Sequence, residues 1–153
     1  MRAAVLTISS SLARGEGEDA SGPALAERCV TAGLEVVREL LPDDRGVIAA
    51  ALRRMTDEEG VRFVFTVGGT GLTQDDVTPE ATLDVIEREA PGYAEAMRYD
   101  ARGHTPLGIL TRGVSGVRGR TLIVNFPGNP KAVDQLWPVV APTLSHAAAT
   151  LER

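Results

Sequence analysis

The chain has 153 residues, of which 43% are hydrophobic and 24% are charged, and it contains one cysteine. A chain of this length is expected to form one domain, residues 1–153, whose core needs no disulfide. The formal net charge of −5 argues against nucleic-acid binding through a basic surface. No apolar stretch approaches the roughly 18 residues that span a bilayer, so no membrane partner is expected and a cytoplasmic location follows by elimination.

Strands and helices are predicted to alternate along the chain. Short apolar runs predict strands at residues 3–8, 35–41, 61–67 and 120–126, and residues 105–117 are a mixture of strand and loop. Apolar periodicity, prolines and glycines predict helices at 22–33, 45–59, 78–89, 93–99, 130–136 (interrupted near Pro138) and 143–151. This alternation is typical of an α/β fold with a mainly parallel central sheet.

A glycine-rich loop, Gly68, Gly69, Thr70 and Gly71, follows the third predicted strand. Glycines at such a point can adopt positive φ and direct amide groups toward a bound anion, with phosphate as the obvious guest. The loop is not a Walker A motif, because no Gly-Lys-Ser/Thr follows, and it does not match the Gly-x-Gly-x-x-Gly fingerprint. A tight turn without a ligand explains these glycines about as well.

Two acidic positions favour the ligand-binding interpretation. Asp76 lies a few residues beyond the glycines, and Asp43 follows the second predicted strand. Carboxylates beside a phosphate site repel the ligand unless a cation intervenes, and Mg²⁺ suits oxygen ligands of this kind. The alternatives are structural: Asp76 precedes the helix start at Thr78, and Asp43 suits a turn after Pro42.

Further polar residues follow the first and last predicted central strands. Asp19, Ser21 and Gly22 either bind a ligand or lead into the first helix. The segment 127–130 forms a stiff loop in which Asn129 caps the next helix or contacts a ligand. Lys131 projects from the first turn of that helix, where it meets a phosphate or is solvated.

The segment 111–115 is harder to assign from the sequence alone. Arg112 could hold a phosphate or an ordinary surface acid. His104 and His146 have no partners at metal-ligand spacing, and Cys29 is predicted to be a small buried residue on a helix.

Three motifs together resemble the MoaB/Mog-type molybdopterin adenylyltransferase family. They are Thr66–Gly71, Asp76–Thr82 and Asn125–Lys131, and their order and spacing match over nearly the whole chain. The resemblance implies a three-layer α/β sandwich with helices on both faces of the sheet, assembled as a homotrimer or a hexamer. It also implies transfer of AMP from Mg·ATP to the terminal phosphate of molybdopterin with release of pyrophosphate. A molybdenum insertion protein is then a possible partner.

The same resemblance implies roles for individual residues. Gly68–Gly71 would hold the nucleotide phosphates, and Asp43 and Asp76 would be catalytic and organise Mg²⁺. A substrate pocket would be shaped by the following residues: Asp19, Ser21, Gly22, Thr111, Ser115, Pro127, Gly128, Asn129 and Lys131.

One departure from the family pattern concerns the end of the first strand. Family members often carry Ser-Asp there, whereas this chain has Ser9-Ser10. The substitution keeps an alternative open, namely a pterin-binding or scaffold protein of the same fold without catalytic activity. Intact Asp43 and Asp76 favour the enzyme.

Overall fold

The computed structural model describes residues 1–153 and is built on one six-stranded sheet of order β2-β1-β3-β6-β5-β4. The strands are β1 (Arg2–Ile8), β2 (Glu35–Leu41), β3 (Phe63–Val67), β4 (Arg88–Glu89), β5 (Ser115–Arg118) and β6 (Thr121–Phe126). The first four in this order run parallel, and β5 and β4 pair antiparallel at one edge. The predicted α/β fold with a mainly parallel sheet is confirmed.

Seven α-helices accompany the sheet. They are α1 (Ser10–Ala13), α2 (Ser21–Thr31), α3 (Arg45–Arg53), α4 (Thr78–Leu83), α5 (Gly92–His104), α6 (Pro130–Val140) and α7 (Leu144–Leu151). A π-helical turn, Arg54–Glu58, continues α3, and short 3₁₀ segments occupy Pro106–Leu110 and Ala141–Thr143. None of these helices combines the length and the apolar character needed to cross a bilayer.

The helices cover both faces of the sheet, because alternate residues of the central strands enter two separate cores. On β1, Val5 packs into the core with α2, α5, α6 and α7, whereas Leu6 packs into the core with α3 and α4. Phe65 and Val64 on β3 divide between the two cores in the same way. This alternation follows from the two-residue period of a strand and produces the predicted three layers.

Cys29 lies on the inner face of α2 and is fully buried, as predicted. Desolvation in the core raises the pKa of its thiol to about 12, so the thiol stays protonated at neutral pH. A neutral, inaccessible thiol has no nucleophilic role.

Three predicted helices differ from the observed ones. The helix expected at 78–89 ends at Leu83, because the backbone of Glu87 and Ala90 pairs instead with β5. The helix expected to end at Tyr99 continues to His104, and no helix-breaking residue intervenes before Gly103. The helix expected at 45–59 is α-helical only to Arg53, after which the π-helical turn begins.

The predicted interruption near Pro138 is wrong, since α6 continues through this residue to Val140. A proline inside a helix costs about 3 kcal/mol. Val133, Leu136, Trp137 and Val140 of the same helix are buried, and each large apolar side chain contributes roughly 1.5–3 kcal/mol on burial. Packing therefore outweighs the local cost of the proline.

Candidate active site

A cavity of about 830 Å³ lies at the carboxyl ends of the parallel strands. The loops that leave β1, β2, β3 and β6 form its walls, as expected for ligand sites in open α/β sheets. Twelve of the predicted site residues line it: Asp19, Ser21, Asp43, Gly68, Gly69, Thr70, Gly71, Asp76, Thr111, Pro127, Gly128 and Asn129. The topology thus brings together segments that are distant in the sequence.

Three predicted pocket residues do not line this cavity. Ser115 is buried on β5, where its hydroxyl donates to the Ala90 carbonyl over 2.6 Å. Lys131 lies in a neighbouring groove of about 370 Å³, which meets the cavity at Thr111, Pro127 and Asn129. The third residue, Gly22, lies against Thr7 and Asp19, which do line the cavity.

Gly22 has a supporting role that its sequence position does not reveal. Its amide donates to Asp19 Oδ1 over 2.9 Å, and Thr7 Oγ1 donates to Asp19 Oδ2 over 2.7 Å. A Cβ at position 22 would clash with both Thr7 and Asp19. Asp19 therefore fixes the start of α2, as its structural interpretation predicts, while it also lines the cavity.

The glycine loop adopts a conformation that requires glycine at two positions. Gly68 and Gly69 have φ of 102° and 68°, in the region that side-chain-bearing residues rarely adopt. A Cβ at Gly68 would clash with the Ile8 carbonyl oxygen, and one at Gly69 would clash with Thr78 Oγ1. The loop is therefore tightly packed against β1 and α4.

All four carbonyl oxygens of the glycine loop accept hydrogen bonds from only two residues. Thr78 Oγ1 donates to Gly68 O over 2.9 Å, and Thr78 N donates to Gly69 O over 3.1 Å. Arg112 N donates to Thr70 O over 2.8 Å, and Arg112 Nε donates to Gly71 O over 2.7 Å. The carbonyl groups are thereby held by the protein scaffold.

The amide groups of the same loop are mostly free. Gly68 N donates to Phe126 O over 3.1 Å, but Gly69, Thr70 and Gly71 donate no backbone hydrogen bond within the chain. These three residues line the cavity, so their amides can serve an anion there. These three consecutive N–H groups are the donors available to the predicted anion site.

Two longer helices also begin at the cavity. Ser21 is the first residue of α2, and Pro130 is the first residue of α6. Asn129 Oδ1 accepts from Lys131 N over 2.9 Å, so Asn129 caps α6. Both helix N-termini contribute positive potential, which favours a bound anion.

The charged side chains that line the cavity are all acidic: Glu18, Asp19, Asp43 and Asp76. Asp76 Oδ2 accepts hydrogen bonds from Thr73 N over 3.0 Å and from Thr73 Oγ1 over 2.8 Å. A Cβ at Gly69 would lie 3.2 Å from Asp43 Oδ1, and one at Gly71 would lie 2.7 Å from Asp76 Oδ2. The two predicted catalytic acids therefore flank the glycine loop.

Arg112 forms an ion pair with a partly exposed acid, Glu80, which is one of its two predicted partners, and it also binds the backbone of the glycine loop. Its guanidinium contacts Gly71 O, Asp76 O over 2.7 Å and Glu80 Oε1 over 2.7 Å. Sequence reasoning missed this function of Arg112.

Sequence reasoning also missed a buried hydrogen-bond network below the glycine loop. In that network Asn125 Nδ2 donates to Thr66 Oγ1 over 2.9 Å and to Thr82 Oγ1 over 3.1 Å. The available signal in the sequence was a polar residue at the penultimate position of each of two apolar predicted strands, Thr66 and Asn125, which the structure places opposite each other.

An α/β sheet with an acid-flanked glycine loop at its carboxyl edge is typical of proteins that bind phosphate-bearing ligands. Residues 4–146 match the family model described as a probable molybdopterin binding domain. The chain belongs to this family, as the sequence motifs predict.

Individual relatives agree with this assignment. The chain is 38% identical over 138 residues to the molybdopterin adenylyltransferase of Escherichia coli K12, covering 88% of this chain and 71% of that protein. It is 37% identical over 145 residues to the molybdenum cofactor synthesis protein cinnamon of Drosophila melanogaster. That match covers 94% of this chain but only 24% of the Drosophila protein.

Solved structures share the same fold. The crystal structure of the molybdopterin biosynthesis enzyme MoaB from Thermus thermophilus superposes with a TM-score of 0.92 at 44% identity. The superposition covers 98% of this chain and 95% of that chain. The similarity therefore extends over the sheet, both helical layers and the loops that form the cavity.

Proposed function

We propose that this protein is a molybdopterin adenylyltransferase, which transfers AMP from Mg·ATP to the terminal phosphate of molybdopterin. Membership of the family and the name of the Escherichia coli relative support this proposal. The observation that carries it is the glycine loop, with its four carbonyls occupied, three amides free and a carboxylate at each side. Such a loop suits the phosphates of a nucleotide.

The proposed reaction is a displacement at the α-phosphorus of ATP. An oxygen of the molybdopterin phosphate forms a new bond to this phosphorus, and the bond to the bridging oxygen of the β-phosphate breaks. That oxygen leaves with the electron pair as part of pyrophosphate. Catalysis of this kind depends on positioning and on charge stabilisation rather than on covalent chemistry by the protein. The amides of Gly69, Thr70 and Gly71 would stabilise charge on the phosphate oxygens.

The residues present fit a role for Mg²⁺. The cavity is lined by four carboxylates and by no lysine or arginine, so a polyphosphate would meet net negative charge there. Asp43 and Asp76 would hold the ion, which neutralises charge on the phosphates when bound. No group of three or more acidic, histidine or cysteine side chains forms a complete metal site. Phosphate oxygens and water would supply the remaining ligands, which is usual for Mg²⁺.

The remaining lining residues would shape the substrate pocket. Asp19 and Ser21 border the start of α2, while Thr111 and the segment 127–129 form the opposite wall. The neighbouring groove that contains Lys131 joins the cavity at this wall. Lys131 would therefore act at the edge of the pocket rather than within it.

We also propose that the chain functions as a homo-oligomer, a trimer or a hexamer. The support is an apolar surface on the 3₁₀ segment, where Leu107, Ile109 and Leu110 are 66%, 61% and 44% exposed. Leu110 also lines the cavity, so this surface is continuous with the proposed site. Contact with a second copy would cover these side chains. Light scattering after gel filtration would give the mass of the assembly.

The first experiment measures pyrophosphate release from Mg·ATP with and without molybdopterin. Wild type is compared with Asp43→Asn and Asp76→Asn, which remove each charge with little change in shape. Asp75→Asn is the matched control, because Asp75 is exposed and does not line the cavity. We expect release that depends on molybdopterin, lost by about 100-fold or more in the two site variants and retained in the control.

The same experiment distinguishes the enzyme from a non-catalytic protein of the same fold. A folded wild type that binds molybdopterin but releases no pyrophosphate would contradict the enzyme proposal. It would leave a pterin-binding or scaffold protein of the same fold. An equal loss of pyrophosphate release in Asp75→Asn would contradict the specific catalytic role proposed for Asp43 and Asp76.

A further inference from the structure

Ser10 and Asp43 lie opposite each other because the register of two neighbouring strands continues beyond their ends. β1 and β2 are parallel, and their pairing ends with Ile8 opposite Leu41. Ser9 N then donates to Leu41 O over 2.9 Å, which extends the ladder by one step. The same offset places Ser10 directly beside Asp43.

Two hydrogen bonds join these residues in a closed ring. The Asp43 amide donates to Ser10 Oγ over 2.8 Å, and the Ser10 amide donates to Asp43 Oδ2 over 2.9 Å. Both bonds are partly buried, which shields them from competition with water. The ring fixes the backbone of Asp43 and one of its carboxylate oxygens at the same time.

The second carboxylate oxygen, Asp43 Oδ1, makes no hydrogen bond and lies next to Gly69 at the cavity. We propose that Ser10 is a positioning residue for Asp43, which keeps this oxygen directed at the glycine loop. The inference rests on the proposed function, in which Asp43 serves the cation that accompanies the nucleotide. Ser10 would act through Asp43 and would itself touch neither substrate nor cation.

A hydroxyl at position 10 suits this task for an electrostatic reason. The cavity already contains four carboxylates and no basic side chain. The serine oxygen accepts the Asp43 amide hydrogen bond without adding another negative charge beside Asp43. Threonine offers the same acceptor, whereas alanine offers none. Serine in place of the aspartate that family members often carry at position 10 therefore still provides a hydrogen-bond acceptor for the Asp43 amide.

The test compares Ser10→Ala with Ser10→Thr and with a matched control, Ser11→Ala. Ser11 is exposed in the same turn, and its hydroxyl contacts only Ser9 Oγ. Three quantities are measured for each protein. They are the hydrogen-exchange rate of the Asp43 amide by NMR, the affinity for α,β-methylene-ATP across a Mg²⁺ titration by calorimetry, and the Mg²⁺ dependence of pyrophosphate release.

We expect Ser10→Ala to speed exchange of the Asp43 amide. We also expect it to raise the Mg²⁺ concentration needed for half-maximal analogue binding by about three- to tenfold, which corresponds to one net hydrogen bond. Turnover should fall by a similar factor, while the KM for molybdopterin stays unchanged. Ser10→Thr should restore all of these values, and Ser11→Ala should match wild type.

Unchanged Mg²⁺ dependence of analogue binding in Ser10→Ala would overturn the inference, even if the Asp43 amide exchanged faster. A defect that Ser10→Thr fails to restore would overturn it as well, since the hydroxyl would then not be responsible. Absence of pyrophosphate release in wild type would contradict the proposed function instead. The exchange and binding measurements would still decide the role of Ser10.

Discussion

Thr78 and Arg112 divide the four carbonyl oxygens of the glycine loop between them. Thr78 binds those of Gly68 and Gly69, and Arg112 binds those of Thr70 and Gly71. The second guanidinium branch reaches the Asp76 carbonyl. A single arginine therefore links the loop proposed to bind an anion to the proposed catalytic acid, although it lies 41 residues from Gly71 in the sequence.

Arg112→Lys is expected to weaken nucleotide binding while the protein stays folded. Lysine keeps the positive charge but cannot present the planar fork that reaches two carbonyls and Glu80 together. The loss of one or two net hydrogen bonds is worth about 1–3 kcal/mol. We expect the KM for Mg·ATP to rise by about tenfold or more, as measured by initial rates of pyrophosphate release.

Arg45→Lys is the control for this substitution. Arg45 also makes a two-bond contact with a carboxylate, that of Asp84, but it does not line the cavity. Its variant should keep the wild-type KM. An unchanged KM in Arg112→Lys, or an equal rise in Arg45→Lys, would contradict the role of Arg112 in holding the loop.

Gly69→Ala should lose both stability and nucleotide binding. The residue has a φ of 68°, and a Cβ would clash with Thr78 Oγ1, the atom that holds Gly68 O. The left-handed conformation alone costs alanine about 1–2 kcal/mol. Urea denaturation should show a loss of at least this size, and calorimetry should show weaker binding of Mg·ATP.

Gly103→Ala is the contrasting substitution. Gly103 lies near the end of α5, and an added Cβ there meets no atom within 4 Å. Alanine favours the helix by about 0.5–1 kcal/mol, so this variant should be equally or more stable. Destabilisation of similar size in both variants would mean that the conformation of the glycine loop is not the cause.

The central fold was predictable because its signals are local. The apolar runs that form β1, β3 and β6 and the apolar periodicity of α3 are visible in short windows of sequence. The predicted helix boundaries were wrong where contacts with distant segments determine the local structure. Residues 88–89 were predicted to be helical but form a strand, because they pair with β5. Helix α6 continues through Pro138 because its inner face is buried.

The candidate site was predictable in a similar, partial way. Asp43 and the glycine loop follow strand ends, and parallel strands bring such ends to one edge of the sheet. The functions of Thr78 and Arg112 depend on the orientation of each loop carbonyl, which no spacing in the sequence reveals. Ser115 was predicted to belong to the pocket but does not line it. Its hydroxyl instead forms hydrogen bonds with the backbone of Ala90 and Ala94 inside the fold.

Asn125→Ala should destabilise the protein strongly. The Asn125 side chain makes two buried hydrogen bonds, in which Nδ2 donates to Thr66 and Thr82. A third, partly buried bond joins Asn125 Oδ1 to Val114 N, which donates over 3.1 Å. Removal of the side chain leaves the Val114 amide without this acceptor. The buried hydroxyls of Thr66 and Thr82 also lose the Asn125 donor. Because a buried polar group without its partner costs about 1–3 kcal/mol, we expect a total loss of roughly 2–4 kcal/mol in urea denaturation.

Asn129→Ala provides a comparison within the same sequence motif. Asn129 caps α6 from an exposed position, so its replacement should cost about 1 kcal/mol. A smaller loss for Asn125→Ala than for Asn129→Ala would show that the buried network contributes little to stability.

The Arg45–Asp84 pair is expected to make stability depend on acid pH. Hydrogen bonds from the Arg45 guanidinium, at 2.7 and 2.8 Å, lower the pKa of the Asp84 carboxyl below its usual range. The unfolded chain has an Asp pKa near about 3.9. A group with a lowered pKa in the folded state stabilises the protein above the unfolded pKa, and this contribution disappears as the pH falls through the folded value.

Asp84→Asn should therefore reduce the free energy of unfolding at pH 7 and pH 5 by the same amount, and the difference from wild type should shrink below about pH 4. Because both side chains are exposed, high salt should also reduce the difference. Urea denaturation at pH 7, 5 and 3 in low and high salt tests this expectation. Asp75→Asn, an exposed acid without a hydrogen-bonded partner, should show no such trend. A difference that stays constant down to pH 3 would mean that loss of the Asp84 charge is not the cause.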